Sequence, residues 1–210
     1  TLSLADGALI EPLAVGLHGP RLSQLHPGGR VLVLGAGSVA LCVIYWARRL
    51  GAGRIVALSR SQRRAAMAVD MGADAFVQYG DNEIGEVVEA LGGQPDIVFE
   101  CVGNPGFLAK GIQHARDFGQ VLSLGFCTLP DPMIPAMAGF KGVSLPFPVG
   151  YSLKDFRHVA DVMDAGHADP KMLISSVIAL EDLPATFQRL RGPNTETKVQ
   201  VAPASFRATI

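Results

Sequence analysis

The stretch that most constrains this chain is 31–40, Val-Leu-Val-Leu-Gly-Ala-Gly-Ser-Val-Ala. Four apolar β-formers run into Gly35 and Gly37, and residues 39–50 contain neither Gly nor Pro, the pattern of a buried helix. Strand, tight turn and helix in that order open a βαβ unit of the kind that binds a dinucleotide. Gly35 permits the sharp turn, and Gly37 lets the backbone approach a pyrophosphate. Ala40 takes the third position and is still small enough for close helix-strand packing. The phosphates would then lie at Ser38 and Val39, on a helix N-terminus whose free N–H groups and dipole favour anions. With 24 glycines in 210 residues such a string also arises by chance, so a purely structural turn is the plainer alternative. The second apolar strand at 54–58, at the right distance, favours the nucleotide site.

The residues after that second strand discriminate between cofactors. In an NAD site an acidic residue about 20 positions beyond the glycines binds the ribose 2′-hydroxyl. Here Ser59 stands there, with Arg60, Arg63 and Arg64 close behind. Loss of the carboxylate together with gain of guanidinium groups suits a 2′-phosphate, which Arg binds through charge-assisted, bidentate contacts. Solvated arginines on an exposed helix start are the bland alternative, and the two changes together favour NADP over NAD.

Strands and helices alternate through the rest of the first 125 residues. Helices are expected at 8–17, with Pro12 in the first turn, and at 62–71, 82–91 and 107–117. Further strands are expected at 75–78, 96–100 and 120–125. Such alternation implies a Rossmann-type, doubly wound parallel sheet, and ligands on such a sheet lie past the carboxyl ends of the strands. That rule nominates Cys101, Val102, Gly103, Gly125 and Phe126 as cofactor-contacting turns. From 128 to 150 the chain turns to Pro, Gly, Met and Phe, with one strand expected at 142–145. Ser152 and Asp155 form a capping box that opens a helix ending at Gly166 and His167; a strand at 174–179, a helix at 182–191 and a strand at 197–201 follow.

Composition narrows the classes. Hydrophobic residues make up 49% and charged residues 18%, enough core material for an ordered domain with a smaller annex. A net charge of −1 gives no electrostatic case for nucleic acid or an anionic membrane. The uncharged run 31–47 is interrupted by glycine and reads as buried strand, turn and helix rather than a membrane span. Cys42, Cys101 and Cys127 sit in apolar stretches, unlike a metal cluster, and read as reduced core residues of a cytoplasmic protein.

Several longer strings resemble the C-terminal part of the zinc-dependent alcohol dehydrogenases of the medium-chain dehydrogenase/reductase family. They are Ala-Leu-Ile-Glu-Pro-Leu-Ala-Val-Gly-Leu-His at 8–18, the stretch 29–40, Leu-Gly-Ala-Gly-Arg at 50–54, Met-Gly-Ala-Asp at 71–74 and Glu-Cys-Val-Gly-Asn at 100–104. The spacing from Asp155-Phe156 through Asp-Leu-Pro-Ala-Thr-Phe at 182–187 to Lys198-Val199 is similar to the closing segment of that family.

The resemblance implies an oxidoreductase that moves a hydride between an alcohol, or its ketone or aldehyde, and NADP. A zinc ion acting as Lewis acid would assist in the full-length enzyme. It also implies a cofactor domain at 12–150, with 1–11 and 151–210 a remnant of the GroES-like catalytic domain as a small α+β segment. Ser59 and Arg60 match the positions where NADP-using members hold the phosphate, and Val143 and Leu145 match residues near the nicotinamide. Glu11 matches a position used as a zinc ligand in one branch, or else serves as a helix-start carboxylate, and His18 lies on the same helix face. The Cys and His zinc ligands of the N-terminal domain have no counterpart here, and Pro146-Phe147-Pro148 departs from the usual Gly-Ser-Phe-like turn. The chain, opening at Thr1 in mid-pattern, is accordingly expected to be a fragment without confident catalytic residues of its own. The strand at 142–145 would pair across a homodimer axis. A zinc-free quinone or enoyl reductase and a non-catalytic NADPH-binding module are the competing readings. A methyltransferase fits less well, because Ser59-Arg60 supplies the wrong charge.

Overall fold

Strands buried on both faces of a parallel sheet read as continuous apolar runs, and this chain has such runs at 31–34, 55–58 and 97–99. In the computed structural model of the chain, which describes residues 2–166 and 170–203, they form the centre of a five-stranded parallel sheet. In chain order the elements begin with α1 (Leu4–Leu22), β1 (Arg30–Leu34), α2 (Ser38–Arg49), β2 (Arg54–Ser59), α3 (Ala65–Asp70) and β3 (Ala75–Gln78). There follow α4 (Glu83–Leu91), β4 (Ile97–Glu100), α5 (Phe107–His114), β5 (Gln120–Ser123) and α6 (Pro135–Lys141). The last are α7 (Leu153–Asp164), β6 (Ile174–Ala179), α8 (Leu183–Leu190) and β7 (Lys198–Ala202).

The sheet order is β3-β2-β1-β4-β5, with every pair parallel, so the fold is the expected Rossmann-type α/β sheet. The chain leaves β1 toward β2 on one side and returns to β4 on the other, which places a topological switch point between β1 and β4. Leu32, Leu34, Val56, Leu58 and Val98 share one core with Val87 and Leu91 of α4 and Ile112 of α5. The alternate residues Val31, Val33, Ile55 and Ala57 face the other way and are equally buried; α2 packs on β1 and β2.

The chain divides into two compact units. One runs Glu11–Val159 and holds the five-stranded sheet. The other takes in the remaining described residues and contains the two-stranded parallel sheet β6-β7, with α8 as the connection between its strands.

Several local expectations need correction. The first helix starts at Leu4 rather than residue 8, because Ser3 and Asp6 form an unforeseen capping box (Ser3 Oγ to Asp6 Oδ2 2.7 Å, Asp6 N to Ser3 Oγ 3.1 Å). Pro12 and Pro20 therefore lie inside a helix, held there by burial of Leu13 and Leu17. Gly16 brings α1 against α2, since a Cβ at that position would stand 2.2 Å from the Cβ of Cys42. The helix expected at 62–71 opens as a 3-10 turn over Gln62–Arg64, and the one expected at 107–117 ends at His114, where Ala115 turns extended. Helix α6 was not foreseen in the Pro-rich stretch. Gly142 is its left-handed cap (φ 61°), so no strand runs over 142–145; Ser144 alone bridges, in parallel, to Gln120. The expected capping box of α7 is present: Ser152 N donates to Asp155 Oδ2 at 2.9 Å and Asp155 N to Ser152 Oγ at 3.2 Å. Gly166 closes that helix (φ 72°), and His167 lies outside the described residues.

Three ionisable groups, two of them buried and one partly so, couple this fold to pH. Asp96, before β4, accepts from the Arg30 backbone N–H (2.8 Å) and the Arg116 guanidinium (2.6 Å). Burial alone would raise its pKa, but these bonds outweigh it and hold the carboxyl at about 2. Asp155 behaves alike. Desolvation is overcome by Ser152, by His18 Nδ1 at 2.7 Å and by Arg21 at 3.0 Å, and its pKa is lowered to about 2. His114, 1% exposed, is held below the ordinary imidazole value chiefly by burial, partly offset by Glu83, which also pairs with Lys110.

All three folded-state values lie below those of the unfolded chain, so the unfolded state binds more protons as pH falls. The His114 contribution is whole above about pH 6.5 and declines below it; those of Asp96 and Asp155 are whole above about pH 4 and decline toward about pH 2. Stability measured by urea unfolding should therefore drop in two stages on acidification. His114→Leu should flatten the upper stage and leave the lower, and an unaltered profile between pH 7 and pH 5 would refute the assignment. Gly16→Val should cost about 1–3 kcal/mol through overpacking against Cys42, seen as a lower urea midpoint with the far-UV spectrum retained.

Candidate cofactor site

The carboxyl ends of the sheet strands share one edge, and the turns that leave them are built largely of backbone. Gly35, with φ 109°, ends β1, and its N–H donates to Leu58 O at 2.8 Å. A Cβ on Gly35 would stand 3.2 Å from Val102 Cγ2 and 3.4 Å from Cys101 O, so the absent side chain is what lets the β1 and β4 turns touch. Gly37 is the N-cap of α2, and no side chain caps that helix. Nothing lies within 4 Å of where its Cβ would be. The first N–H groups of α2, at Ser38 and Val39, are thus left without a capping side chain, an arrangement that fits the pyrophosphate of a dinucleotide.

At the β2 end Ser59 accepts the Tyr79 N–H through its carbonyl (3.1 Å), and the Arg60 carbonyl accepts Gln78 Nε2 (3.0 Å), so both backbones are tied to the β3 end. Ser61 caps the following turn by accepting from Arg63 N at 3.3 Å. Arg64 reaches back from that turn, and its guanidinium donates to the Ala36 carbonyl at 3.3 Å, against the glycine turn. Desolvation first, then the charge of Arg63, lower the Arg64 pKa.

The β4 and β5 ends are locked together by Glu100, which is 1% exposed. Its Oε1 accepts the N–H groups of Val102 (2.6 Å) and Gly103 (2.8 Å), and its Oε2 accepts the Ser123 hydroxyl (2.8 Å). The Glu100 carbonyl accepts from Leu124 N and Gly125 N at 2.7 and 3.0 Å. A Cβ on Gly103 (φ 73°) would stand 1.8 Å from Gly125 O, and one on Gly125 would stand 2.1 Å from Gly103 N. The two turns thus touch backbone to backbone. Burial pushes the Cys101 thiol well above its ordinary range, aided by Glu100 and Cys42. Phe126 follows with φ 56°, a strained left-handed conformation for a bulky residue, and its ring is exposed.

The sequence singled out the glycines and the residues around them but missed the role of Glu100. The available signal was a carboxylate closing an apolar strand one turn before Gly103. Val143 and Leu145 pack against the core. Since Val121 N donates to Ser144 O and Ser123 N to Pro146 O, it is Pro146 and Phe147 that come level with the carboxyl end of β5. Glu11 is exposed and about two turns into α1, so the helix-start reading of it does not hold. His18 is engaged with Asp155. Among the described residues no three His, Cys, Asp or Glu gather as a metal site.

Residues 38–165 match the family model described as zinc-binding dehydrogenase. The chain is 33% identical to the sorbitol dehydrogenase of Arabidopsis thaliana over 145 residues, 65% of this chain and 40% of that protein. It is 30% identical to the (R,R)-butanediol dehydrogenase of Bacillus subtilis (strain 168) over 205 residues, 96% of this chain and 59% of that one. The crystal structure of 2R,3R-butanediol dehydrogenase from Bacillus subtilis superposes with TM-score 0.87 at 30% identity, covering 96% of this chain and 58% of that structure. A Sinorhizobium meliloti 1021 structure described as a zinc-binding dehydrogenase bound to NADP superposes with TM-score 0.82 at 29% identity, covering 94% and 59%. The chain thus spans roughly two fifths to three fifths of the length of these relatives. With the fold, the glycine turn and the family model in agreement, the chain belongs to the zinc-binding dehydrogenase family.

Proposed function

We propose that this chain is the cofactor-binding portion of an alcohol or polyol dehydrogenase, and that its cofactor is NADP. The observation that carries the cofactor reading is the β2 end, where Ser59 and Arg60 stand in place of a carboxylate. In this reading the N–H groups of Ser38 and Val39 hold the pyrophosphate, and Gly35 and Gly37 keep side chains out of its way. The Ser59 hydroxyl and Arg60 guanidinium bind the 2′-phosphate. Arg64, braced on the Ala36 carbonyl, adds positive charge beside the glycine turn. The turns at Cys101, Val102 and Gly103 and at Gly125 and Phe126 face the nicotinamide half, and Val143 and Leu145 pack on the core beneath the sheet's flank. Bound nicotinamide would supply the hydride-accepting carbon; these residues orient it. The names of the relatives, sorbitol, L-idonate and butanediol dehydrogenases, support a secondary alcohol or polyol as substrate. No step is assigned to zinc, since the described residues do not assemble a site for it.

The cofactor domain is taken as 12–150, and 1–11 with 151–210 as belonging to the catalytic domain. No described helix is long and apolar enough to cross a membrane. Cys42, Cys101 and Cys127 form no disulfide among the described residues, which supports a reducing, cytoplasmic setting. A homodimer through the segment 142–145 is supported by the apolar side chains exposed on either side of it, Phe140 (88%), Phe147 and Val149.

Fluorescence titration with NADPH and NADH tests the cofactor reading. Arg60→Ala should weaken NADPH about ten- to hundredfold and leave NADH nearly unchanged. An equal loss for both would remove the 2′-phosphate assignment. For the edge, Phe140→Asp with Phe147→Asp should convert a dimer to a monomer in sedimentation velocity; a wild-type monomer at high concentration would refute the interface.

A further inference from the structure

Glu100 is more than a clamp between two turns. Its oxygens accept from two peptide N–H groups and one hydroxyl, so both act only as acceptors, the bonding pattern of a carboxylate. Among the described residues no Lys, Arg or His pairs with it. A charge this deeply buried, bonded directly only to neutral donors, acts on whatever lies above it.

The sheet order decides what that is. β2 and β3 lie on one side of β1, and β4 and β5 on the other. With its pyrophosphate at the start of α2 and its phosphorylated ribose at Ser59 and Arg60, a dinucleotide must lay its other half over the ends of β4 and β5. Glu100 ends β4 and is bonded to both turns there. Oxidised nicotinamide is a cation and reduced nicotinamide is neutral, while the phosphates are the same in both. A fixed negative charge beneath the ring therefore separates the two forms.

We infer that Glu100 biases the bound cofactor toward its oxidised form, raising affinity for NADP⁺ relative to NADPH through its buried charge. The inference rests on the cofactor reading above. Its consequence is a site loaded for removing hydride from an alcohol.

The test is the ratio of dissociation constants, Kd(NADP⁺) over Kd(NADPH), measured by calorimetry at one pH and salt. Glu100→Gln keeps an oxygen for the two N–H donors and offers an amide N–H to Ser123 Oγ, so the turn contacts are retained and the charge is lost. The ratio should rise about three- to tenfold, as expected for the loss of one unit charge in a partly screened site. Glu100→Asp keeps the charge but shortens the clamp, and should hold the wild-type ratio even as the melting temperature falls. A Gln variant within twofold of wild type overturns the inference. A shift of threefold or more in the Asp variant also does, because geometry rather than charge would then set the ratio. This second arm stands even where Glu100→Gln fails to fold. A wild-type protein that binds neither nucleotide sinks the cofactor reading itself, an outcome distinct from both.

Discussion

The contact on which the candidate site depends is the backbone-to-backbone approach of the turns after β4 and β5, at Gly103 and Gly125. No side chain fits between them, and Glu100 ties both to the sheet with its carboxylate and its carbonyl. Gly35 makes the same kind of contact from β1 to the β4 turn. The cleft edge is thus a single hydrogen-bonded unit, and its shape follows from where side chains are missing. A parallel sheet makes this possible because its strands release their turns at one edge, where peptide groups would otherwise go unpaired.

The opposite end of the sheet is held by charge instead. Asp96 gathers the backbone N–H of Arg30 and the guanidinium of Arg116, joining the entrances of β1, β4 and β5. Asp155 does similar work between α1 and α7, where it serves at once as cap, ion-pair partner and acceptor for His18. Buried carboxylates with several donors are costly to desolvate and more costly to leave unpaired, so each fixes the mutual position of the elements that supply its donors.

How much of this was legible in sequence follows from which interactions are local. The strands at 31–34, 55–58 and 97–99 announce themselves because burial on both faces removes polar alternation. The glycine turn announces itself because a sharp strand-to-helix reversal needs Gly35. The Ser152-Asp155 cap is a four-residue signal and was readable. The start of α1 was missed because Pro12 mimics a first-turn proline and draws attention from Ser3 and Asp6. Helix α6 hides in a Pro- and Gly-containing stretch whose stability comes from packing Ala138 and Met133 on the core rather than from propensity. The pairing of Gly103 with Gly125, and the bond from Ser123 to Glu100, join segments more than twenty residues apart and leave no local trace. The β6-β7 pairing is likewise a non-local product, which periodicity identifies as two strands but not as partners.

The start of α2 carries a consequence for how such a chain tolerates change. Its anion-binding capacity resides in peptide N–H groups, with no capping side chain at Gly37 and open space where one would stand. Peptide N–H groups survive every substitution except to proline, so most mutations near the turn have nothing to delete there. What a mutation can do is add bulk. The vulnerability of the glycine turn is therefore to gain of atoms rather than loss of them, and the robustness of the site to drift is highest where it has the fewest side chains to lose.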